Sequence, residues 1–312
     1  MSRNKKPLPL YKDVEIIAVA AEGRAIARVD DLVVFVPFVV PGDVLDIQVT
    51  RKKNKYCEGV AVSINKRSED RSEPFCKYFG ICGGCRWQNL KYSEQLRWKR
   101  QTVVDALRRI GKIDLPEILP IIGSGNTKEF RNKLEFGFSN KRWLTKEEIA
   151  EDKVYDNMNA VGFHVPGAFD KIIDIDYCGL MDDWQNKVRN EVRKYAFDNN
   201  LTFFNIRQHE GLLRNMMLRK TTVGETMILM QFHYTDDIEQ KKAMKLLEHL
   251  SKKFENTTSL MFVNNLKLND TFGDLDIQTY AGRDFIYEEM NGLKFKIGPK
   301  SFFQTNTFQA IR

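Results

Sequence analysis

From Val14 to Ile64, apolar and polar residues alternate in five short runs: Val14–Val19, Ala25–Val29, Leu32–Val36, Val44–Val49 and Cys57–Val62. A period of two marks half-buried strands. The runs are separated by turn residues at Glu22-Gly23, Asp30-Asp31, Pro41-Gly42-Asp43 and Lys53-Asn54-Lys55. Five strands without an intervening helix suit a small closed barrel of the OB type, and a five-stranded meander would show the same pattern. The pattern breaks between Asn65 and Asn89, a polar stretch with Pro74, three glycines and three cysteines. Helical spacing begins from Tyr92, with Ser93 a candidate cap. Leu96, Val103, Leu107 and Ile110 fall on one face, Arg97, Lys99, Arg100, Arg108 and Arg109 on the other, and Gly111 ends the helix.

Beyond Pro116 and Pro120 the pattern is mixed. Strand-like runs start at Arg131, Asn215, Thr226, Leu260 and Leu293, and helices are expected near Met181–Asn199 and Ile238–Phe254. This mixture predicts an α+β domain, an antiparallel sheet with helices on one face.

Composition narrows the functional classes. The chain has 312 residues, enough for two or three domains, and a formal charge of +7. The charged start Met1–Lys6 leads into no signal-like apolar stretch, and no segment approaches a membrane span, which points to a cytoplasmic protein with no membrane partner. Five cysteines in a chain of this kind favour metal ligation or buried thiols over disulfides.

Cysteine spacing carries the strongest local chemistry. Cys76, Cys82 and Cys85 form Cys-x5-Cys-x2-Cys with Gly83-Gly84 between the last two. Such glycines let backbone N–H groups turn toward an anion-rich cluster. Cys178, followed by Gly179, is the better fourth ligand, since Cys57 sits inside an apolar strand pattern. A four-iron cluster fits this spacing better than zinc, which more often uses paired knuckles, although zinc and plain reduced thiols stay open on residues alone.

The positive charge is grouped. Arg51, Lys52, Lys53 and Lys55 lie on a barrel turn, and the segment from Lys128 to Lys146 interleaves Arg131, Lys133, Lys141 and Arg142 with Phe136, Phe138 and Trp143. Cations for phosphates and rings for bases are what looped or single-stranded RNA requires. Taken singly, each patch reads equally as a solvated face over core aromatics. The four histidines have no partners at ligand or triad spacing, and there is no glycine-rich phosphate loop and no nucleophile elbow.

Longer stretches carry a resemblance: Glu22-Gly-Arg-Ala-Ile-Ala-Arg28, Val34-Phe-Val-Pro37, Ser72 through Leu90 with its three cysteines, Phe130-Arg-Asn-Lys133, Asp174-Ile-Asp-Tyr-Cys178 and Ser301-Phe-Phe-Gln-Thr-Asn306. Together these resemble the bacterial RNA (uracil-5-)-methyltransferases that carry an N-terminal TRAM domain and a 4Fe-4S cluster. The resemblance implies the following organisation: a TRAM barrel over 1–70, an iron-sulfur loop over 71–92, a helix over 93–112 packing on a catalytic domain, a central α+β RNA-binding domain over 113–298, and the start of an S-adenosylmethionine-dependent domain over 299–312. It further implies Cys76, Cys82, Cys85 and Cys178 as cluster ligands, Gln304 as a contact to S-adenosylmethionine, and Arg51, Lys52, Lys53, Lys55, Arg131 and Lys133 as RNA contacts.

In that family a cysteine thiolate adds to C6 of the uracil so that C5 can attack the methyl sulfonium, and a base removes the C5 proton. No cysteine here is free for that part, so the resemblance puts the nucleophilic cysteine and the base beyond Arg312 and leaves no catalytic residue within the chain. The expectation is therefore a monomeric chain truncated at Arg312, before the catalytic α/β domain, inactive alone, whose parent acts on 23S rRNA. Rival expectations are a non-catalytic RNA-binding iron-sulfur protein, a transfer-RNA methyltransferase, and a radical methylthiotransferase; the last would need Cys-x3-Cys-x2-Cys and a C-terminal barrel.

Overall fold

The computed structural model describes residues 7–312, so the charged start Met1–Lys6 lies outside the described residues. The chain divides into two compact units. The first takes residues 7–80 and 84–123, the second residues 81–83 and 124–312.

In the first unit, β1 (Leu10–Val19), β2 (Ala25–Val29), β3 (Leu32–Val36), β4 (Val44–Lys52) and β5 (Tyr56–Lys66) close into a barrel in the order β1-β2-β3-β5-β4. Closure removes the free strand edges of a meander and decides between the two expected arrangements. The inward positions of the alternation, among them Ile16, Ala27, Val34, Val36, Leu45, Ile47 and Cys57, form the buried core. Cys57 is thus a core thiol. Asp43, fully buried, fixes the Pro41–Asp43 turn: its carboxylate accepts the Val40 N–H at 2.8 Å and the Ser68 N–H at 3.0 Å, and binds Arg71 through both Nε and Nη2 at 2.7 Å.

Helix α1 (Tyr92–Asp105) has Lys91 rather than Ser93 at its cap position, and Lys91 makes no side-chain capping bond. Its last turn widens, with Gly111 N–H bonded to the Ala106 carbonyl at 2.9 Å. Val103 is exposed, whereas Leu96 and Leu107 are half-buried. Arg100 reaches the Ile118 carbonyl with Nε at 2.9 Å, which ties the following segment to the helix.

The second unit is built on a seven-stranded sheet. Along the chain lie β6 (Lys133–Ser139), the short α2 (Lys146–Ala150), β7 (Ala160–Val165), β8 (Ala168–Asp174), α3 (Asp183–Asp198), β9 (Leu213–Lys220), β10 (Thr226–Phe232), α4 (Asp237–Lys253), β11 (Ser259–Asn264) and β12 (Gln278–Gly282), with sheet order β12-β11-β10-β9-β6-β7-β8. The sheet is antiparallel except for β10 and β11, which run parallel because α4 provides the crossover between them. One face of the sheet meets α3, where Phe138 contacts Phe203 and Phe203 contacts Phe197. On the other face Met217, Met227, Leu229, Met261 and Val263 pack against a hairpin, β13 (Ile286–Met290) and β14 (Leu293–Ile297). Asn291 and Gly292 turn that hairpin with φ of 51° and 74°, the left-handed conformations a two-residue turn needs. A last short helix, α5 (Thr307–Ile311), follows, with Arg312 at its C-cap.

Candidate functional site

On the barrel, Arg51, Lys52, Lys53 and Lys55 are all exposed at the β4–β5 turn, which the Lys53 N–H closes onto the Tyr56 carbonyl at 2.9 Å. Neighbouring strands add rings and a further cation. Phe35 and Tyr56 meet edge to face at 5.7 Å, and the Arg24 guanidinium lies 5.6 Å from the Phe35 ring. Glu58 is the counter-charge, 3.6 Å from Arg24 and 3.9 Å from Arg51. The turn therefore presents a basic rim beside half-buried rings, a surface suited to a phosphate backbone.

The cysteines have a different status. Cys76, Cys82, Cys85 and Cys178 are half-buried and in no disulfide. Local bonds order their backbones: Cys76 N–H donates to Gln88 Oε1 at 3.1 Å, Gly83 N–H donates to the His164 carbonyl at 3.2 Å, and Cys178 N–H donates to Asn186 Oδ1 at 2.8 Å. Cys76 and Cys85 belong to the first unit, and Cys82 and Cys178 to the second. Among the described residues, no three His, Cys, Asp or Glu side chains are gathered to hold a metal ion. Four soft sulfur donors outside any disulfide suit iron or zinc by their chemistry. The Asp174–Cys178 motif has a structural part as well. Asp174 accepts Arg189 Nη2 at 3.0 Å and Arg193 Nη2 at 2.6 Å, clamping the end of β8 to α3.

A polar network joins Phe130–Lys133 to Ser301–Asn306. Asn132 donates its N–H to the Thr305 carbonyl at 2.8 Å, and its side-chain amide donates to the Gln304 carbonyl at 2.8 Å and to Thr307 Oγ1 at 2.9 Å. Thr307 Oγ1 donates in turn to Glu288 Oε2 at 3.0 Å, and the buried Glu288 also accepts the Thr222 N–H at 3.0 Å. Phe303 turns inward against Phe295, ring centroids 5.8 Å apart, while Phe302 and Gln304 point to solvent. Asn132 thus holds the Gln304 carbonyl, and the exposed Gln304 amide is able to donate and accept. Arg131 is half-buried, its Nε buried without a hydrogen-bond partner, and Lys133 pairs with Glu135 at 2.7 Å. The segment is anchored further by Arg219, whose Nη2 donates to the Ser301 carbonyl at 3.1 Å. Burial pushes the Arg219 guanidinium down to about 10, against a weaker upward pull from Glu135.

Sequence reasoning missed Arg219 and Glu288, because a charged residue inside an apolar strand pattern gives no sign of which face it occupies. It also missed β13, although Asn291-Gly292 between two alternating runs is a hairpin signal.

Comparison with known proteins adds three findings. Residues 11–62 match the TRAM domain, so the barrel is a TRAM domain. The chain is 55% identical over 291 residues, 93% of its length, to a Bacteroides thetaiotaomicron protein named uncharacterized RNA methyltransferase, and 47% identical over 304 residues to a protein of the same name from Porphyromonas gingivalis. It spans 64% and 65% of those relatives' own lengths. Among solved structures it is similar in fold to Pyrococcus abyssi tRNA (uracil-54, C5)-methyltransferase in complex with S-adenosyl-L-homocysteine, with a TM-score of 0.64, 24% identity, and coverage of 96% of this chain and 62% of the other.

These findings correct one expectation. Similarity to proteins named RNA methyltransferases runs through 93% of the chain, and it supports neither a truncated chain with a missing catalytic domain nor an inactive one. Arg312 is the exposed C-cap of α5. No helix among the described residues is long and apolar enough to cross a membrane.

Proposed function

We propose that this chain belongs to the RNA (uracil-5-)-methyltransferases and serves the transfer of a methyl group from S-adenosylmethionine to C5 of a uracil in RNA. The observation that carries this reading is the 55% identity along 93% of the chain to a protein named an RNA methyltransferase. The TRAM barrel with its exposed Arg51, Lys52, Lys53 and Lys55 supports a grip on RNA phosphates, and Arg131 and Lys133 extend that role to the second unit. Gln304 is the residue assigned to S-adenosylmethionine. The Asn132 side-chain amide holds the Gln304 carbonyl, which fixes where the exposed Gln304 side chain leaves the backbone.

In this reading the RNA is 23S rRNA, the protein is a cytoplasmic monomer, and Cys76, Cys82, Cys85 and Cys178 hold a 4Fe-4S cluster. Support for the cluster is the spacing and the absence of disulfides. Anaerobic purification should give about four irons and four sulfides per chain, lost on replacing any of the four cysteines and kept on replacing Cys57. One zinc, or no metal, would remove the cluster from the proposal.

The function is tested by deleting the gene in its host and measuring 5-methyluridine in separated 23S rRNA and transfer RNA by mass spectrometry. Loss from 23S rRNA that a plasmid copy restores is the expected result. Loss from transfer RNA alone would move the substrate to tRNA, as in the Pyrococcus abyssi enzyme of similar fold. Unchanged 5-methyluridine in both pools would refute the reading.

A further inference from the structure

The hairpin β13–β14 uses only one of its faces to cover the sheet. Ile286, Glu288 and Ile297 are buried on that side, and the alternate positions Phe285, Tyr287, Lys294 and Lys296 face outward. On the outward side the Phe285 and Tyr287 rings meet edge to face at 5.1 Å. Three cations lie over them. Lys296 Nζ is 4.1 Å from the Phe285 centroid, Lys294 Nζ is 4.1 Å from the Tyr287 centroid, and the Arg283 guanidinium is 4.9 Å and 5.4 Å from the two. The register pairs Tyr287 with Lys296 and Glu289 with Lys294, so each lysine reaches its ring diagonally across the ladder.

Two carboxylates adjoin this face. Glu225 is already engaged, with Arg283 Nη2 at 2.7 Å and the Tyr287 N–H at 2.6 Å, and Glu289 is exposed opposite Lys294. Lys294 and Lys296 form no ion pair among the described residues; each rests on a ring instead. An ammonium held this way still has N–H donors turned away from the ring for an incoming acceptor, and a cation–π contact at an exposed site is weak enough to exchange for a phosphate. A lysine that leaves its ring also uncovers a flat apolar surface the width of a base. Lysines on a hairpin can simply keep a strand edge from pairing with another chain. That role does not require two adjacent rings beneath them, nor an arginine bridging both rings.

We propose that the outward face of this hairpin is a contact site for single-stranded RNA, in which Lys294, Lys296 and Arg283 meet phosphates while Tyr287 and Phe285 stack on bases. The proposal rests on the RNA reading above and adds to it a surface on the second unit separate from the barrel turn.

The test measures fluorescence anisotropy of a short labelled oligouridylate titrated with the full chain over a range of salt concentrations. Lys294→Glu with Lys296→Glu, both exposed, should weaken binding and reduce the slope of log affinity against log salt by about 1.4, the counterions of two single-strand phosphate contacts. Tyr287→Ala should weaken it roughly 5- to 150-fold, and Tyr287→Phe should keep it, because stacking needs the ring and not the hydroxyl. Should Tyr287→Ala fail to fold, the lysine pair still decides. An unchanged affinity and slope in the folded lysine double variant, with binding lost in Lys53→Glu/Lys55→Glu, would overturn the hairpin contact alone. Absence of binding by the unmodified chain would overturn both readings. Polyglutamate competing as well as unlabelled oligouridylate would overturn the proposal by assigning the face to acidic protein segments.

Discussion

Replacing Arg219 with methionine should leave the second unit as stable as before, or more so, while loosening the segment it holds. Arg219 lies in the middle of the sheet with 2% of its surface exposed, and Nε and Nη1 have no hydrogen-bond partner. Burial brings its guanidinium down to about 10, a penalty on the charged form on the order of 3 kcal/mol. Methionine has no charge to desolvate and is flexible enough to fill the same space beside Met217 and Met227. Against this gain stands the loss of the Ser301 contact, about 1.5–3 kcal/mol for a hydrogen bond from a charged donor. The difference runs from neutral to about 1.5 kcal/mol in favour of methionine, in line with replacements of buried charges elsewhere. Hydrogen exchange read by mass spectrometry reports both effects in one experiment. Protection across β9 and β10 should hold or rise, and exchange across 301–306 should quicken. A loss of more than about 2 kcal/mol of protection in β9 would refute the reasoning, because it would mean that Arg219 Nε and Nη1 find acceptors in solution that balance its burial.

Three further outcomes follow from the same geometry. Asp43→Ala strands Arg71 and two N–H groups at the barrel turn and should cost about 3–5 kcal/mol in urea unfolding of the barrel, with part recovered by adding Arg71→Met. Asn132→Ala breaks both side-chain bonds to the Gln304 carbonyl and Thr307 and should weaken S-adenosylhomocysteine binding, measured by calorimetry, with Asn132→Asp a poor rescue because it lacks the amide donors. His233 is held below its ordinary value first by burial and then by Arg214, so its folded value lies under the unfolded one. The stability this contributes is complete above pH 6.5 and is lost as pH falls from there through the folded value. Thermal midpoints between pH 7 and 5 should fall less in His233→Gln than in the parent.

The barrel was legible because its alternation has the period of its geometry: the inward core residues of β1 to β5 are apolar, and the turns carry glycine, proline, aspartate or asparagine at the reversals. The two long helices were legible for the same reason, with Val188, Val192 and Ala196 on the buried face of α3. The central sheet was only partly so. Its strand β10 is apolar at nearly every position because both faces are covered, one by helices and one by the hairpin, so period two disappears and partner choice with it. Strands β7 and β8 were hidden by short length and by polar residues such as His164 and Lys171 on their outer positions.

For the candidate site, type was readable and assembly was not. Lysines on an exposed turn announce themselves, and Arg51, Lys52, Lys53 and Lys55 are where the pattern put them. Gln304 owes its posture to Asn132, more than 170 positions earlier in the chain, and to a relay through Thr307, Glu288 and Thr222 that no local spacing encodes. The same holds for the hairpin's outer face. Arg283, Phe285, Tyr287, Lys294 and Lys296 look unremarkable in sequence, and only the register of β13 on β14 stacks three cations over two rings. Local chemistry therefore names the donors and acceptors, and strand register decides which of them act together.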